Sequence, residues 1–213
     1  MSKQEKRRIT IGLVINIILF VLSIICLLDY IRYLVNGNPD IRFRYFTNIS
    51  TLVVGLTSII KAAFLFASLL KGEMVYPKGL SIFGFVGLTM TALTFFIVLI
   101  SSPFVGLYKA YSNIKIITHL ILPILTVISY LFFEEKKVFE WEYSLIHLVP
   151  VLSYSFIYWI NVVVIKQWPD LYKVNTNGHW YVGVIIAIIS SVFLSQGLYF
   201  IKKRLIKKIN QPQ

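Results

Sequence analysis

The sequence predicts an all-α integral membrane protein built as a bundle of six transmembrane helices. Two observations lead to this prediction. Of the 213 residues, 57% are hydrophobic and only 14% are charged, which is more apolar surface than a water-soluble domain of this size can bury. The apolar residues also gather into six stretches of roughly 20 residues, the length that a helix needs to cross the hydrocarbon of a bilayer.

The six spans follow one another with short connections. We expect them at residues 9–31, 45–70, 80–101, 113–133, 143–165 and 180–201. Basic residues precede the first span, as in a signal peptide, but the span is too long and lacks a small-residue cleavage site. Connections of roughly 8 to 14 residues leave little room for a second module. Residues 1–213 are therefore expected to form a single domain.

Helix breakers mark the joints between the spans. They lie at residues 36–39, at Pro77 and Gly79, at Pro103 and Gly106, and across residues 168–178. Glycine and proline favour turns and end helices, so the apolar stretches are expected to be separate antiparallel helices.

The basic charge of the chain is best explained by membrane orientation. A net charge of +12 would suggest a nucleic-acid partner for a soluble protein, but here the basic residues lie at the chain ends and in the loops. Four of them precede the first span and five follow the last: Lys3, Lys6, Arg7, Arg8, Lys202, Lys203, Arg204, Lys207 and Lys208. Because basic residues favour the cytoplasmic side, both termini are expected in the cytoplasm, with membrane lipids rather than nucleic acid as partners. The single cysteine, Cys26, excludes an internal disulfide.

Polar residues within the spans recur at steps of three and four, which places them on one face of each helix. The clearest stripes are Thr47, Thr51, Ser58 and Lys61 in the second span and Lys115, His119, Thr126 and Tyr130 in the fourth. Hydroxyl and small residues of this kind commonly hold membrane helices together. Ionisable groups in a membrane need a partner or water, which singles out Lys61, Lys115, His119 and His147.

Lys61 lies in the middle of the second span. Its long side chain is expected to extend toward the inner interface, the alternatives being an anchor for a substrate carboxylate and a counter-ion to an unidentified group. The run from Glu134 to Lys137 is expected to be a solvated helix end.

Thr47 and His119 are the candidate catalytic residues. With the amino terminus inside, they lie roughly 3 Å and 9 Å below the outer starts of their spans, at about 1.5 Å per residue. A threonine hydroxyl is a poor nucleophile unless a base removes its proton, and an imidazole that titrates near neutral pH can do so. The pair is expected to catalyse acyl transfer if the two spans pack together.

Other polar residues near the outer ends of the spans are candidates for binding the substrate. Asn48, Ser50, Tyr158 and Asn161 are candidate donors to a developing oxyanion. Arg44 and Lys115 are candidate partners for a substrate carboxylate. Three histidines at different depths do not form a metal-ligand set, so no metal or other cofactor is expected.

The motifs around Thr47 and His119 resemble a known family. The segment Phe46-Thr47-Asn48-Ile49-Ser50-Thr51-Leu52, a histidine four residues before Pro123 and a closing Glu134 are similar to the androgen-induced-protein and androgen-dependent TFPI-regulating protein family and its bacterial integral-membrane relatives. The resemblance implies a multi-pass threonine hydrolase, with Thr47 as nucleophile and His119 as base. Animal members of the family look like hydrolases of fatty-acid esters of hydroxy fatty acids, so the resemblance implies a lipid (fatty-acid) ester as substrate, and the bacterial relatives imply a bacterial plasma membrane as the location.

Two other classes of function stay open at this point. A proton-coupled or small-molecule transporter would use Asp29, Lys61 and His119 as titrating groups, although six spans without a repeat do not favour it. A noncatalytic lipid-binding protein would keep the bundle only, and an acyltransferase would be a variant of the hydrolase. The sequence does not indicate the natural ester or the oligomeric state.

Overall fold

The computed structural model describes residues 1–36, 45–106, 108, 111, 113–134, 139–170 and 178–209. All regular secondary structure in these ranges is helical. Three long helices come first: α1 (Lys3–Val35), α2 (Phe46–Lys71) and α3 (Lys78–Val105). They are followed by α4 (Ile117–Phe133), α5 (Trp141–Val164) and α6 (Trp180–Ile209).

The structure confirms an all-α membrane bundle. Among the described residues, five helices are long and apolar enough to cross a membrane, namely α1, α2, α3, α5 and α6. The remaining helix, α4, matches the fourth expected span but is shorter, because it begins at Ile117 rather than at residue 113. Three helices are longer than expected: α1 extends from Lys3 to Val35, α3 runs from Lys78 through Pro103 to Val105, and α6 continues to Ile209.

Two helices depart from regular α-helical geometry. In α4, a central α-helical stretch (Leu122–Ile128) lies between two π-helical turns, Ile117–Ile121 and Ser129–Phe133. In α5, a 3₁₀ turn (Trp141–Leu145) begins the helix and a π-helical turn (Ile160–Val164) ends it. Such π turns are rare in helices and are frequent at functional sites.

The core is centred on α3. In the apolar 18-residue stretch of each helix, 61% of the residues of α3 are buried, against 22% of those of α5 and 17% of those of α6. The helices α5 and α6 therefore lie at the periphery, and side chains such as Phe156 and Phe193 are exposed on surfaces suited to lipid. Buried Leu19, Val54 and Leu122 join α1, α2 and α4 in one cluster.

The predicted inward orientation of the polar stripes is confirmed for most of their members. Thr51, Ser58 and Lys61 of α2 are buried, as are Thr126 and Tyr130 of α4. Thr47 is half-buried, and Lys115 is exposed just before α4. The small residues allow close packing, since a Cβ atom placed on Gly55 would lie 2.7 Å from the Cβ of Ser23.

The expectations for Lys61 and Glu134 are wrong. Lys61 does not extend to the interface, because its Nζ lies 2.6 Å from Oε1 of Glu134. Glu134 is not solvated, since its side chain is only 2% exposed at the end of α4. Gly84 leaves the space for the lysine, because a Cβ there would lie 2.1 Å from the Cε of Lys61. An acidic partner within reach keeps Lys61 inside the bundle.

The basic ends of the chain lie at the same end of the bundle. The Nη1 atom of Arg8, near the start of α1, donates a hydrogen bond of 2.9 Å to the carbonyl oxygen of Glu134. The Nζ of Lys202, near the end of α6, lies 4.0 Å from the ring centroid of Tyr130. Both residues thus meet the carboxyl end of α4. This arrangement agrees with two termini on one side of the membrane, and the cytoplasmic side stays a prediction.

Candidate functional site

An apolar cavity opens between α2, α3, α5 and α6. Its volume is about 320 Å³, and its wall is formed mainly by aliphatic and aromatic side chains. Hydroxyl groups in this wall come from Thr47, Thr94, Tyr154, Ser155, Tyr158 and Ser190. On the side of α6, Gly183, Ala187 and Ser190 line it. These three side chains are small, so they leave room between α6 and the helices opposite.

Thr47 lies in the first turn of α2. The helix begins at Phe46, after Tyr45 in an extended conformation. The carbonyl oxygen of Thr47 accepts hydrogen bonds from the hydroxyls of Ser50 and Thr51, each 2.8 Å long. The ring of Phe46 lies 5.2 Å from the ring of Tyr154, so this turn is packed directly against α5. The backbone that carries Thr47 is therefore held in place on the cavity wall.

His119 lies in the first π-helical turn of α4, Ile117–Ile121. Its side chain is half-buried, and the turn packs against α1, α2 and α3. His119 is not among the described residues that line the cavity, whereas Thr47 is. The structure thus places the two candidate catalytic residues on helices of the same bundle without bringing both into the cavity wall.

The predicted oxyanion donors do not form one group in the cavity, because one of them lines a different cavity and the others are already engaged in hydrogen bonds. Tyr158 lines the cavity, and its hydroxyl donates to Oδ1 of Asp170 at 3.0 Å. Ser50 is buried beside Thr94, with 3.3 Å between the two hydroxyl oxygens. Asn48 lines a different cavity, between α1 and α2. The amide of Asn161 donates to the carbonyl oxygen of Ile157 at 2.8 Å.

The structure describes one of the two predicted carboxylate anchors. Lys115 is exposed and does not line the cavity. Arg44 lies outside the described residues.

A buried polar network connects α1, α2 and α4 at the other end of the bundle. Besides Lys61, the hydroxyl of Ser129 donates to Oε1 of Glu134 at 3.3 Å. The amide of Asn16 donates to the hydroxyl of Ser129 at 3.2 Å and to the carbonyl oxygen of Gly12 at 2.8 Å. Sequence reasoning identified Lys61 but missed Glu134, because the adjacent charged residues suggested a solvated end. A lysine in the middle of a span was the signal that called for an acidic partner.

His147 occupies a second buried polar site, between α5 and α6. It is fully buried, and its Nδ1 donates to the carbonyl oxygen of Ser144 at 2.7 Å, because a carbonyl can only accept. The amide of Gln196 donates to the hydroxyl of Ser144 at 2.7 Å. The bond from Gln196 joins α5 to α6, whereas the Nε2 of His147 is buried without a hydrogen-bond partner among the described residues.

Trp159 is a cavity residue that the sequence did not single out. It lines the cavity near the carboxyl end of α5. Its indole nitrogen is buried and has no hydrogen-bond partner among the described residues. A tryptophan near the end of a span is usually an interfacial anchor, so its type and position gave no signal of this environment.

No metal centre is evident in the described part of the chain, since no three His, Cys, Asp or Glu side chains cluster there closely enough to hold an ion. No family model, curated protein or solved structure matches the chain. The resemblance to the androgen-induced-protein family therefore stays a prediction based on the motifs around Thr47 and His119.

Proposed function

We propose that the protein is a membrane-embedded hydrolase of lipid esters, in which Thr47 is the nucleophile and His119 the general base. The observation that carries the proposal is the position of Thr47 in the wall of an apolar cavity of about 320 Å³. Sites for small molecules are typically apolar clefts with a few polar groups that fix the orientation of the ligand. A hydroxyl in such a wall meets an ester group only if the ligand is a lipid or a similarly apolar molecule.

The position of the cavity favours a substrate that arrives from the bilayer. Its walls include α5 and α6, the two least buried of the five long apolar helices. An acyl chain can enter between helices from the outer leaflet and bury its methylenes against aliphatic side chains. The ester group would then stop beside Thr47, at the start of α2.

The chemistry needs only groups that the chain supplies. The Oγ1 atom of Thr47 attacks the ester carbonyl carbon while His119 takes the hydroxyl proton, and the carbonyl electron pair moves onto oxygen. His119 then gives its proton to the departing alkoxide. Water attacks the acyl-threonine with the same imidazole as base, which releases the fatty acid and restores Thr47. The first turn of a helix favours the negative charge that develops there.

This mechanism places one demand on α4. Because His119 does not line the cavity, its side chain must turn toward the first turn of α2 when substrate is bound. The π-helical turn that carries it departs from regular helical hydrogen bonding, which makes this part of α4 the place where such a change is easiest.

The proposed setting is a bacterial plasma membrane with both termini in the cytoplasm. The basic residues at the two ends of the chain and the resemblance to bacterial relatives support it. The partners in this setting are membrane lipids and the ester substrate, and Lys115 and Arg44 would meet any free carboxylate at the interface.

Covalent labelling tests the proposal directly. A serine/threonine-directed fluorophosphonate is expected to label the wild-type protein, to leave Thr47→Ala unlabelled and to label His119→Ala far more slowly. Thr57→Ala is the matched control, because Thr57 is buried in the same helix, donates to the carbonyl oxygen of Val54 and does not line the cavity. Equal labelling of wild type and Thr47→Ala would overturn the proposal.

A noncatalytic lipid-binding protein is the second candidate. The observation that favours it is the absence of His119 from the described cavity wall. A photoactivatable phospholipid would crosslink to cavity residues in either case. A lipid-binding protein would form no phosphonate adduct and would release no fatty acid from a bound ester.

A further inference from the structure

The indole N–H of Trp159 has no hydrogen-bond acceptor among the residues that the structure describes, and its nitrogen is buried. The ring is held from two directions, by Phe156 with centroids 6.1 Å apart and by Trp180 with centroids 5.3 Å apart. Buried donors are almost always paired in native proteins, and hydrocarbon offers no acceptor. A ligand bound in the cavity can supply the acceptor that this donor lacks.

Trp159 shares the cavity wall with Thr47. The contact between Phe46 and Tyr154 joins the first turn of α2 to α5. Trp159 is five residues further along α5 than Tyr154, which is about 7.5 Å toward the outer end of the helix. An acyl chain in the cavity would therefore present its polar end to the part of the wall that carries both Thr47 and Trp159.

The other candidate donors near Thr47 already have acceptors or face elsewhere. The hydroxyl of Tyr158 donates to Asp170, and the amide of Asn161 donates to Ile157. The hydroxyl of Ser50 donates to the carbonyl oxygen of Thr47. Trp159 is the described cavity residue whose buried side-chain donor lacks an acceptor.

We propose that the Nε1–H of Trp159 donates a hydrogen bond to the carbonyl oxygen of the bound carboxylic ester. In the reaction this donor stabilises the oxyanion that forms when Thr47 attacks, so Trp159 is a catalytic residue. The ester as ligand rests on the proposed function, whereas the need of the indole for an acceptor does not. The site therefore selects ester lipids over ether lipids of the same chain length, because an ether has no carbonyl oxygen.

Replacement of the donor gives the first test. Trp159→Phe keeps an aromatic ring but removes the N–H, and it is expected to lower kcat for ester cleavage about 10²- to 10³-fold with little change in KM. Trp141→Phe is the matched control, because Trp141 is 53% exposed and does not line the cavity. Unchanged kcat in Trp159→Phe would overturn the inference while the hydrolase proposal stands.

A spectroscopic test separates the inference from the hydrolase proposal. The indole proton resonance of Trp159, identified by its loss in the folded Trp159→Phe variant or by selective labelling, is followed in nanodiscs of Thr47→Ala protein, which cannot form an acyl intermediate at residue 47. A diacyl ester lipid is expected to shift it downfield, and the matching diether lipid is expected to leave it unchanged. Equal responses to the two lipids would overturn the inference. If Thr47→Ala labels like wild type, the hydrolase proposal fails, and the indole shift still decides whether Trp159 binds an ester carbonyl.

Discussion

The Nζ of Lys61 and Oε1 of Glu134 lie 2.6 Å apart, with 4% and 2% of the two side chains exposed. The pair joins the middle of α2 to the carboxyl end of α4 across 73 residues of sequence. Moving two charges out of water costs roughly what their attraction returns, so such a pair adds little net stability. Its main effect is to fix where α4 sits against α2.

Loss of one partner of this pair is expected to be costly. Lys61→Met leaves the Glu134 carboxylate buried without its counter-charge, and the free energy of unfolding should fall by about 3–5 kcal/mol. The double variant Lys61→Met/Glu134→Leu should lose much less, since no charge is left uncompensated. Denaturation in mixed micelles followed by circular dichroism measures both. A double variant as unstable as the single variant would contradict this account.

Gly84 is expected to be essential for the same pair. A Cβ added there would lie 2.4 Å from the Nζ of Lys61, so Gly84→Ala should displace the lysine and weaken its bond to Glu134. In the Lys61→Met background the same substitution should cost little, which the difference between the two unfolding measurements tests. Gly197→Ala is the control, because nothing lies within 4 Å of a Cβ at that position. Equal costs in both backgrounds would show that Lys61 is not what Gly84 accommodates.

The small residues of α6 are expected to set the chain length that the cavity accepts. Ala187→Phe fills space between α6 and the opposite helices, so long acyl chains should bury about two fewer methylenes, roughly a tenfold loss of kcat/KM. Esters of short chains should react as before. Ile189→Phe, on the exposed side of α6, should change neither. A series of esters of increasing chain length measures the effect, and a uniform loss for all lengths would argue against a chain-length role.

The exposed pair of Lys78 and Glu140 gives a prediction about pH. Their Nζ and Oε2 atoms are 2.5 Å apart, and the hydrogen bond from Lys78 lowers the pKa of Glu140 from its ordinary 4.5, with a smaller contribution from the backbone. The pair therefore favours the folded state above the ordinary pKa, and this contribution disappears as the pH falls through the lowered value. In Lys78→Met the carboxyl carbon resonance of Glu140 should titrate at higher pH than in the wild type. Identical titration curves would contradict the assignment.

The helices could be predicted from the sequence because their signals are local. Apolar runs and breakers such as Pro77 and Gly79 located α2 and α3 to within a few residues. The start of α2 placed Thr47 in a first helical turn, and the stripe through Thr51 and Ser58 gave the buried face. These features depend on neighbours three or four residues away, which the sequence displays directly.

The features that escaped prediction depend on how distant segments meet. Glu134 is buried because the end of α4 lies against α1 and α2, which no local pattern encodes. The unpaired donor of Trp159 follows from rings on α5 and α6 that hold its indole. Whether His119 faces the cavity depends on how α4 is rotated about its own axis. The π-helical turns of α4 interrupt the regular helical repeat, so this rotation cannot be predicted from the spacing of residues.

The shortness of α4 has a consequence for how water reaches the outer half of the bundle. At about 1.5 Å per residue, the stretch Ile117–Phe133 covers about 25 Å, less than the hydrocarbon thickness of about 30 Å. Because the bond between Lys61 and Glu134 anchors the inner end, the shortfall falls at the outer end, where His119 lies. Head groups and their hydration shells are expected to sink there to meet the protein. For the proposed hydrolysis, such a local thinning would supply water from the membrane surface, without a dedicated aqueous channel.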